Sequence, residues 1–167
     1  MTERLRSLYH AMIAFDQGQP KLIQHFTKVH SYAKLIGESE GLDAHALEIL
    51  EAAALTHDIA IPLCYQKYGA DPGDLQELEG PPLARDMLSR LPFTEEEISR
   101  VCTLIGEHHT CDPIDGIDHQ ILLEADFLVN CFEHGDTKAQ CQQVMDRVFA
   151  TAAGKKIFTL MFGLDQA

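Results

Sequence analysis

Leu22, Phe26, Val29, Ala33 and Ile36 recur at spacings of three and four, which draws one apolar stripe along a helix of 3.6 residues per turn. The same spacing returns in Leu47, Leu50 and Ala54 and again in Ile98, Val101 and Ile105. The segment "ILLEADFLVNCF" is apolar around most of a helical circumference and is expected near the centre of the molecule. No alternating strand of useful length, internal repeat or low-complexity segment occurs. Stripes of this kind are buried only against one another, so the expected fold is all-α, a compact helical bundle.

Turn chemistry divides the chain. Gly41 is expected to end the first striped helix, and Asp43 to cap the second, which runs on into His57 and Asp58. Pro62 then discourages further α conformation. Residues 63–76, centred on "YGADPGD", are expected to form a loop and a lid. The proline pair in "EGPPLARDMLSRL" predicts a helix starting there and reaching about Leu91. Thr94 and Glu97 form a capping box for a helix whose stripe ends in His108. A polar turn, "TCDPIDGID", precedes a helix over His119 to His134, and weaker amphipathic segments follow near 137–152 and 155–162.

The chain has 167 residues, which fits a single domain over 1–167 with a core that needs no disulfides. Its 26 acidic and 13 basic side chains give a net charge of -13. Such a field repels a phosphate backbone, so a nucleic-acid polymer is not expected as partner. The five scattered cysteines form no C-x-x-C pair and suit a reducing compartment. No charged start leads into an apolar stretch, and no apolar run approaches the ~20 residues of a membrane helix. The expected location is cytoplasmic, with no membrane partner; the sequence leaves the oligomeric state open.

Against this apolar patterning, several ionisable residues are conspicuous. His57 shares the stripe of Leu50 and Ala54, and Asp58 flanks it. His25 lies between Leu22 and Val29, and Asp126 between Leu122 and Val129. His108 and His109 follow Ile105. A buried carboxylate is costly unless its charge is compensated. Two readings are open: each is a hydrogen-bonded core residue, or they share a divalent cation. Recurrence on the inward edges of four helices favours the cation. Imidazoles with carboxylates suit Mn, Fe, Co, Ni or Zn, and the lack of thiolate ligands argues against a structural zinc finger.

In family order, a histidine in "HFTKVHSYAKLIGESEGLD", the doublet in "AALTHDIA" and an aspartate in "LLEADFLVN" resemble the HD-domain superfamily of metal-dependent phosphohydrolases, over about residues 20–132. The resemblance implies an HD-domain bundle with the C-terminal helices packed on it. It implies a first metal site of His25, His57, Asp58 and Asp126. His25 is preferred to His30 because "HFTKV" fits the family pattern. By similarity to HD-type dinucleoside polyphosphate hydrolases and HD-GYP phosphodiesterases, Glu79, His108 and His109 would hold a second ion, with Glu79 where those families have histidine. Asp58 would bridge the two ions, and Asp58 and His108 would be the catalytic pair.

The activity so implied is hydrolysis of a small phosphorylated molecule, a nucleotide by preference, by metal-activated water. Lys28, Lys67 and Arg85 are the candidate substrate cations. "HDIAIP" lacks the lysine that many family members carry after the doublet, and "HHTCDPIDG" lacks the HD-GYP ending, so cyclic dinucleotides rank low. Three other readings stand beside the hydrolase: an HD-type mixed-valence di-iron oxygenase, a non-catalytic metal or nucleotide sensor, and a structural helical protein without metal.

Overall fold

The computed structural model describes residues 1–164. Among them are nine helices and no strand: α1 Glu3–Phe15, α2 Pro20–Ser39, α3 Ala44–Thr56, α4 Ile61–Tyr68, α5 Gly73–Leu88, α6 Glu95–Gly106, α7 Gly116–His134, α8 Lys138–Val148 and α9 Ala152–Phe162. The all-α expectation holds. Their ends follow from local chemistry. Asp43 accepts from the amides of His45 and Ala46 at the start of α3, and Thr94 with Glu97 closes a reciprocal capping box at α6. Gly41 takes a positive φ of 79° just beyond α2, a conformation in which only glycine avoids a Cβ penalty.

Helix α2 packs on α3 and α7, α3 also on α1 and α6, and α5 on α6. Phe26, Val29, Ala33 and Ile36 of α2 meet Leu50 and Ala54 of α3, Val101 and Ile105 of α6, and Ile121, Leu122 and Val129 of α7 in the principal core. Helix α7 also turns Leu123, Leu128 and Cys131 toward a smaller core completed by Cys141, Val148, Phe149 and Phe158. Two buried faces on one helix explain its nearly continuous apolar sequence.

Glu124 ties this smaller core together. Its Oε1 accepts from Gln120 Nε2 and from the amides of Ala150 and Thr151, and its Oε2 accepts from the Thr151 hydroxyl. The carboxylate thus fills the orphan-donor end of α9. It lies so close to Gly154 that a Cβ there would overlap it.

Four boundaries differ from expectation. Helix α1, capped by Thr2 and buried through Leu5, Leu8 and Met12, is absent from the sequence reading, which starts at Leu22. The expected lid over 63–76 is instead occupied by α4 and the start of α5. Pro62 falls in the first turn of α4, where a missing N–H costs nothing. Helix α5 begins at Gly73, so Pro81 and Pro82 are interior rather than initiating. Contacts hold its first half despite them: Gln76 donates to the Asp71 carbonyl, and Glu77 accepts from the His109 amide and the Thr110 hydroxyl. Finally, α3 and α6 stop at Thr56 and Gly106, leaving His57, Asp58, His108 and His109 just beyond helix ends.

Candidate metal centre

Those helix ends organise the site. The last carbonyls of a helix have no intrahelical donor. At α3 the His57 ring donates Nδ1–H to the Ala54 carbonyl at 3.0 Å, and at α6 the His108 ring does the same to the Ile105 carbonyl at 2.6 Å. One device, used twice, fixes each ring with its Nε2 turned inward, where the neutral ring bears its lone pair. His57 and His108 are fully buried.

His25 comes from the second turn of α2. Its Nδ1 donates to Glu133 Oε2 at 3.0 Å, and its Nε2 stands 3.2 Å from His57 Nε2, 3.1 Å from Asp126 Oδ1 and 3.3 Å from Asp58 Oδ2. His57 Nε2 lies 3.4 Å from Asp58 Oδ2 and 3.5 Å from Asp126 Oδ1. The second oxygen of Asp58 lies 3.6 Å from His108 Nε2, so this carboxylate reaches both histidine groups. Asp126 is oriented by Asn130, which donates to its Oδ2 at 2.8 Å.

The electrostatics of this cluster call for positive charge. Burial pushes the Asp126 carboxyl up, but His25 and His57 outweigh it and hold it well below the usual carboxylate range. Burial is likewise the largest influence on Asp58, and again the surrounding imidazoles, His57 first, bring it well down. His57 is raised well above its ordinary value despite a burial that opposes protonation. Asp16, buried and with Oδ1 unpartnered, is pushed up to about 6 by burial, with the Asp58 charge adding.

A divalent cation fits these residues. With bonds of ~2.1 Å, two ligands of one ion stand roughly 3.0–3.4 Å apart, the range in which His25 Nε2 already lies from His57, Asp58 and Asp126, and His57 from Asp58. The imidazole and carboxylate donors of His25, His57 and Asp58 form a group able to hold an ion. His108 Nε2 is buried without a hydrogen-bond partner, since 3.6 Å to Asp58 exceeds hydrogen-bond range. His109 stacks on His108 with ring centroids 3.9 Å apart and packs against Gly73, where a Cβ would stand 2.7 Å from its Nδ1.

A cavity of about 310 Å³ is lined by His25, Asp58, His109 and Asp126, with Lys21 its only Lys or Arg among the described residues. Of the sequence-assigned residues, the structure brings together His25, His57, Asp58, His108 and Asp126, and places His109 on the same cavity. Glu79 is a correction: it does not line the cavity, because Lys67 Nζ and Tyr68 OH, on the unforeseen α4, both donate to its Oε1 at 2.6 Å. Lys67 is committed by the same contact. Lys28 pairs with Glu133 at 2.6 Å, and Arg85 pairs with Glu95 and donates to Ser99. None of these three lines the cavity.

The sequence reading missed Lys21, Glu133, Gln76, Asn130 and His134, all on the cavity wall. Spacing held a signal for two of them. Lys21 is one turn before His25 and Glu133 two turns after Asp126, each on the same helical face as that candidate residue.

The HD domain family matches residues 22–150 of the chain. The fold is similar to that in the crystal structure of a predicted HD superfamily hydrolase from an uncultured Thermotogales bacterium, with a TM-score of 0.69, 23% identity, and coverage of 95% of this chain and 84% of that one. No curated protein matches the chain. Among the described residues no helix is long and apolar enough to cross a membrane. With the family match spanning more than half of the sequence and the histidine–aspartate doublet at its buried centre, the chain belongs to the HD-domain family, whose members are generally metal-dependent hydrolases.

Proposed function

We propose that the protein is a metal-dependent phosphohydrolase acting on a small phosphorylated molecule, a mononucleotide by preference. One observation carries this reading. Three imidazole Nε2 atoms, each aimed by an oxygen acceptor at its own Nδ1, face the Asp58 and Asp126 carboxylates, and His25, Asp58 and Asp126 of this group line a small-molecule cavity. His25, His57, Asp58 and Asp126 would hold one ion, and His108, His109 and the second oxygen of Asp58 would offer ligands for another. Such an ion, when bound, acidifies water and polarises a phosphoryl oxygen.

The chain's own residues do the rest. Asn130 holds the Asp126 carboxylate in orientation. Lys21 offers a substrate phosphate the one cavity ammonium without an ion pair among the described residues. Leu22 and Ile61 give the wall an apolar surface for a base or similar group. A volume of about 310 Å³ lies at the low end of the range for small-molecule sites, which favours a substrate of mononucleotide size.

The test is metal content of protein purified without added metal or chelator, for the wild type and Asp58→Ala. It is followed by phosphate release from a panel of nucleotides and sugar phosphates with Mn, Fe, Co, Ni and Zn. About one to two ions per chain, lost in the variant, with metal-dependent phosphate release, is the expected result. His108→Ala should lower a two-ion stoichiometry to one. Absence of metal uptake would overturn the reading, and iron with oxygen consumption in place of phosphate release would replace it with an oxygenase.

A further inference from the structure

His25 differs from the other two inward-facing histidines in one respect. His57 and His108 each follow the last turn of a helix and orient their rings with a free backbone carbonyl of that turn. His25 sits within α2, which runs from Pro20 to Ser39, where backbone carbonyls are consumed by the helix itself. An acceptor for its Nδ1–H must come from another element, and Glu133 on α7 supplies it at 3.0 Å.

The carboxylate is itself held. Its other oxygen accepts from Lys28 Nζ at 2.6 Å, and that ammonium lies 5.5 Å from the centre of the Phe132 ring. Lys28 is three residues after His25 on α2, so the chain Lys28, Glu133, His25 leaves one helix and returns to it through α7. A half-exposed lysine–glutamate pair contributes little by itself. Here both carboxylate oxygens are committed, and one of them fixes a ring whose other nitrogen meets Asp126 and Asp58.

Resting on the metal-centre reading above, we infer that Glu133 is a positioning residue for that centre: it locks His25 in the Nδ1–H tautomer so that Nε2 presents its lone pair to the ion, while Lys28 holds the other Glu133 oxygen and so fixes the carboxylate. Outer partners of this kind fix ligand orientation, and their loss typically weakens metal binding about 10–100-fold.

The experiment uses the full-length protein as wild type, Glu133→Ala, Glu133→Gln and Lys28→Met. Long-range ¹H–¹⁵N NMR of the metal-free proteins at alkaline pH, with His25 assigned by His25→Gln, reads the ring tautomer. Titration with Co²⁺ reads affinity. The wild type should show His25 as Nδ1–H. Glu133→Ala should lose that preference and bind Co²⁺ about 10–100-fold more weakly. Glu133→Gln, whose amide oxygen still accepts, should keep the tautomer with a smaller loss, and Lys28→Met should fall between. A Glu133→Ala protein with unchanged tautomer and Co²⁺ affinity within about twofold of wild type would overturn the inference. If the wild type bound no Co²⁺, the metal reading would fall, while the tautomer comparison would still decide whether Glu133 orients His25. Were Glu133→Ala to misfold, the Gln and Met variants carry the same two readouts.

Discussion

The Nε2 atoms of His25 and His57 stand 3.2 Å apart while the other nitrogen of each ring donates to an oxygen. In the neutral rings two lone pairs therefore face each other across a gap that Asp58 and Asp126 also border. Protons or a cation must occupy the middle, and a cation satisfies all four groups at once. With Co²⁺ or Mn²⁺ at about a hundred times its dissociation constant, the native state gains roughly 2.7 kcal/mol. For a chain of this size that raises Tm by about 5–10 °C. A chelator should reverse the shift and Asp58→Ala should abolish it. Differential scanning calorimetry with and without metal checks both.

Lys21 lines the cavity, whereas Lys67 and Arg85 are engaged by Glu79 and Glu95 elsewhere. A charge-assisted hydrogen bond contributes about 1.5–3 kcal/mol, so Lys21→Ala should raise KM for a phosphorylated substrate roughly 10–100-fold. Lys67→Ala and Arg85→Ala should leave it within about twofold. Steady-state kinetics of the three variants on one substrate separate these outcomes.

Acid should loosen the protein through Glu97. The Arg4 guanidinium, bonded to both Glu97 oxygens, is the main cause holding this carboxyl at about 2 against an ordinary 4.5. A lowered pKa contributes stability that is fully present above the unfolded-state value. That contribution is lost as pH falls from about 4.5 toward about 2. Urea midpoints at pH 6 and pH 3 should therefore differ less in Glu97→Gln than in wild type, the variant being weaker at pH 6.

Gly154 is required by the Glu124 carboxylate, which a Cβ would overlap. Because Glu124 gathers donors from Gln120, Ala150 and Thr151, it cannot move without stranding them. Gly154→Ala should cost about 2–4 kcal/mol, in spite of alanine's better helix propensity. Thermal melts would show a Tm lower by roughly 4–16 °C.

The fold class and the inward placement of most candidate residues were legible because both rest on periodicity. Phe26, Val29, Ala33 and Ile36 had to face inward, and His25 lies on the edge of that arc. His30, the rival in the same helix, is occupied by Glu51 at 2.9 Å. What remained hidden depends on tertiary contacts. A proline reads the same whether it breaks a helix or occupies its first turn, so Pro62 concealed α4. With α4 missing, nothing indicated that Lys67 and Tyr68 would hold Glu79. Lys21 and Lys28 are equally good candidates by spacing from His25; only the arrival of Glu133 from α7 takes Lys28 and leaves Lys21.

His25 and Asp126 are 101 positions apart in the chain and 3.1 Å apart in space. An ion shared by them would act as a non-covalent clasp on that long loop, removing closure entropy from the unfolded chain as a cross-link does. A single cut between Gly69 and Pro72, in the link between α4 and α5, would then leave two fragments that both hold the same ion. The metal would add to the α2–α7 and α3–α6 packing that joins the halves of the nicked protein, and a chelator would weaken their association.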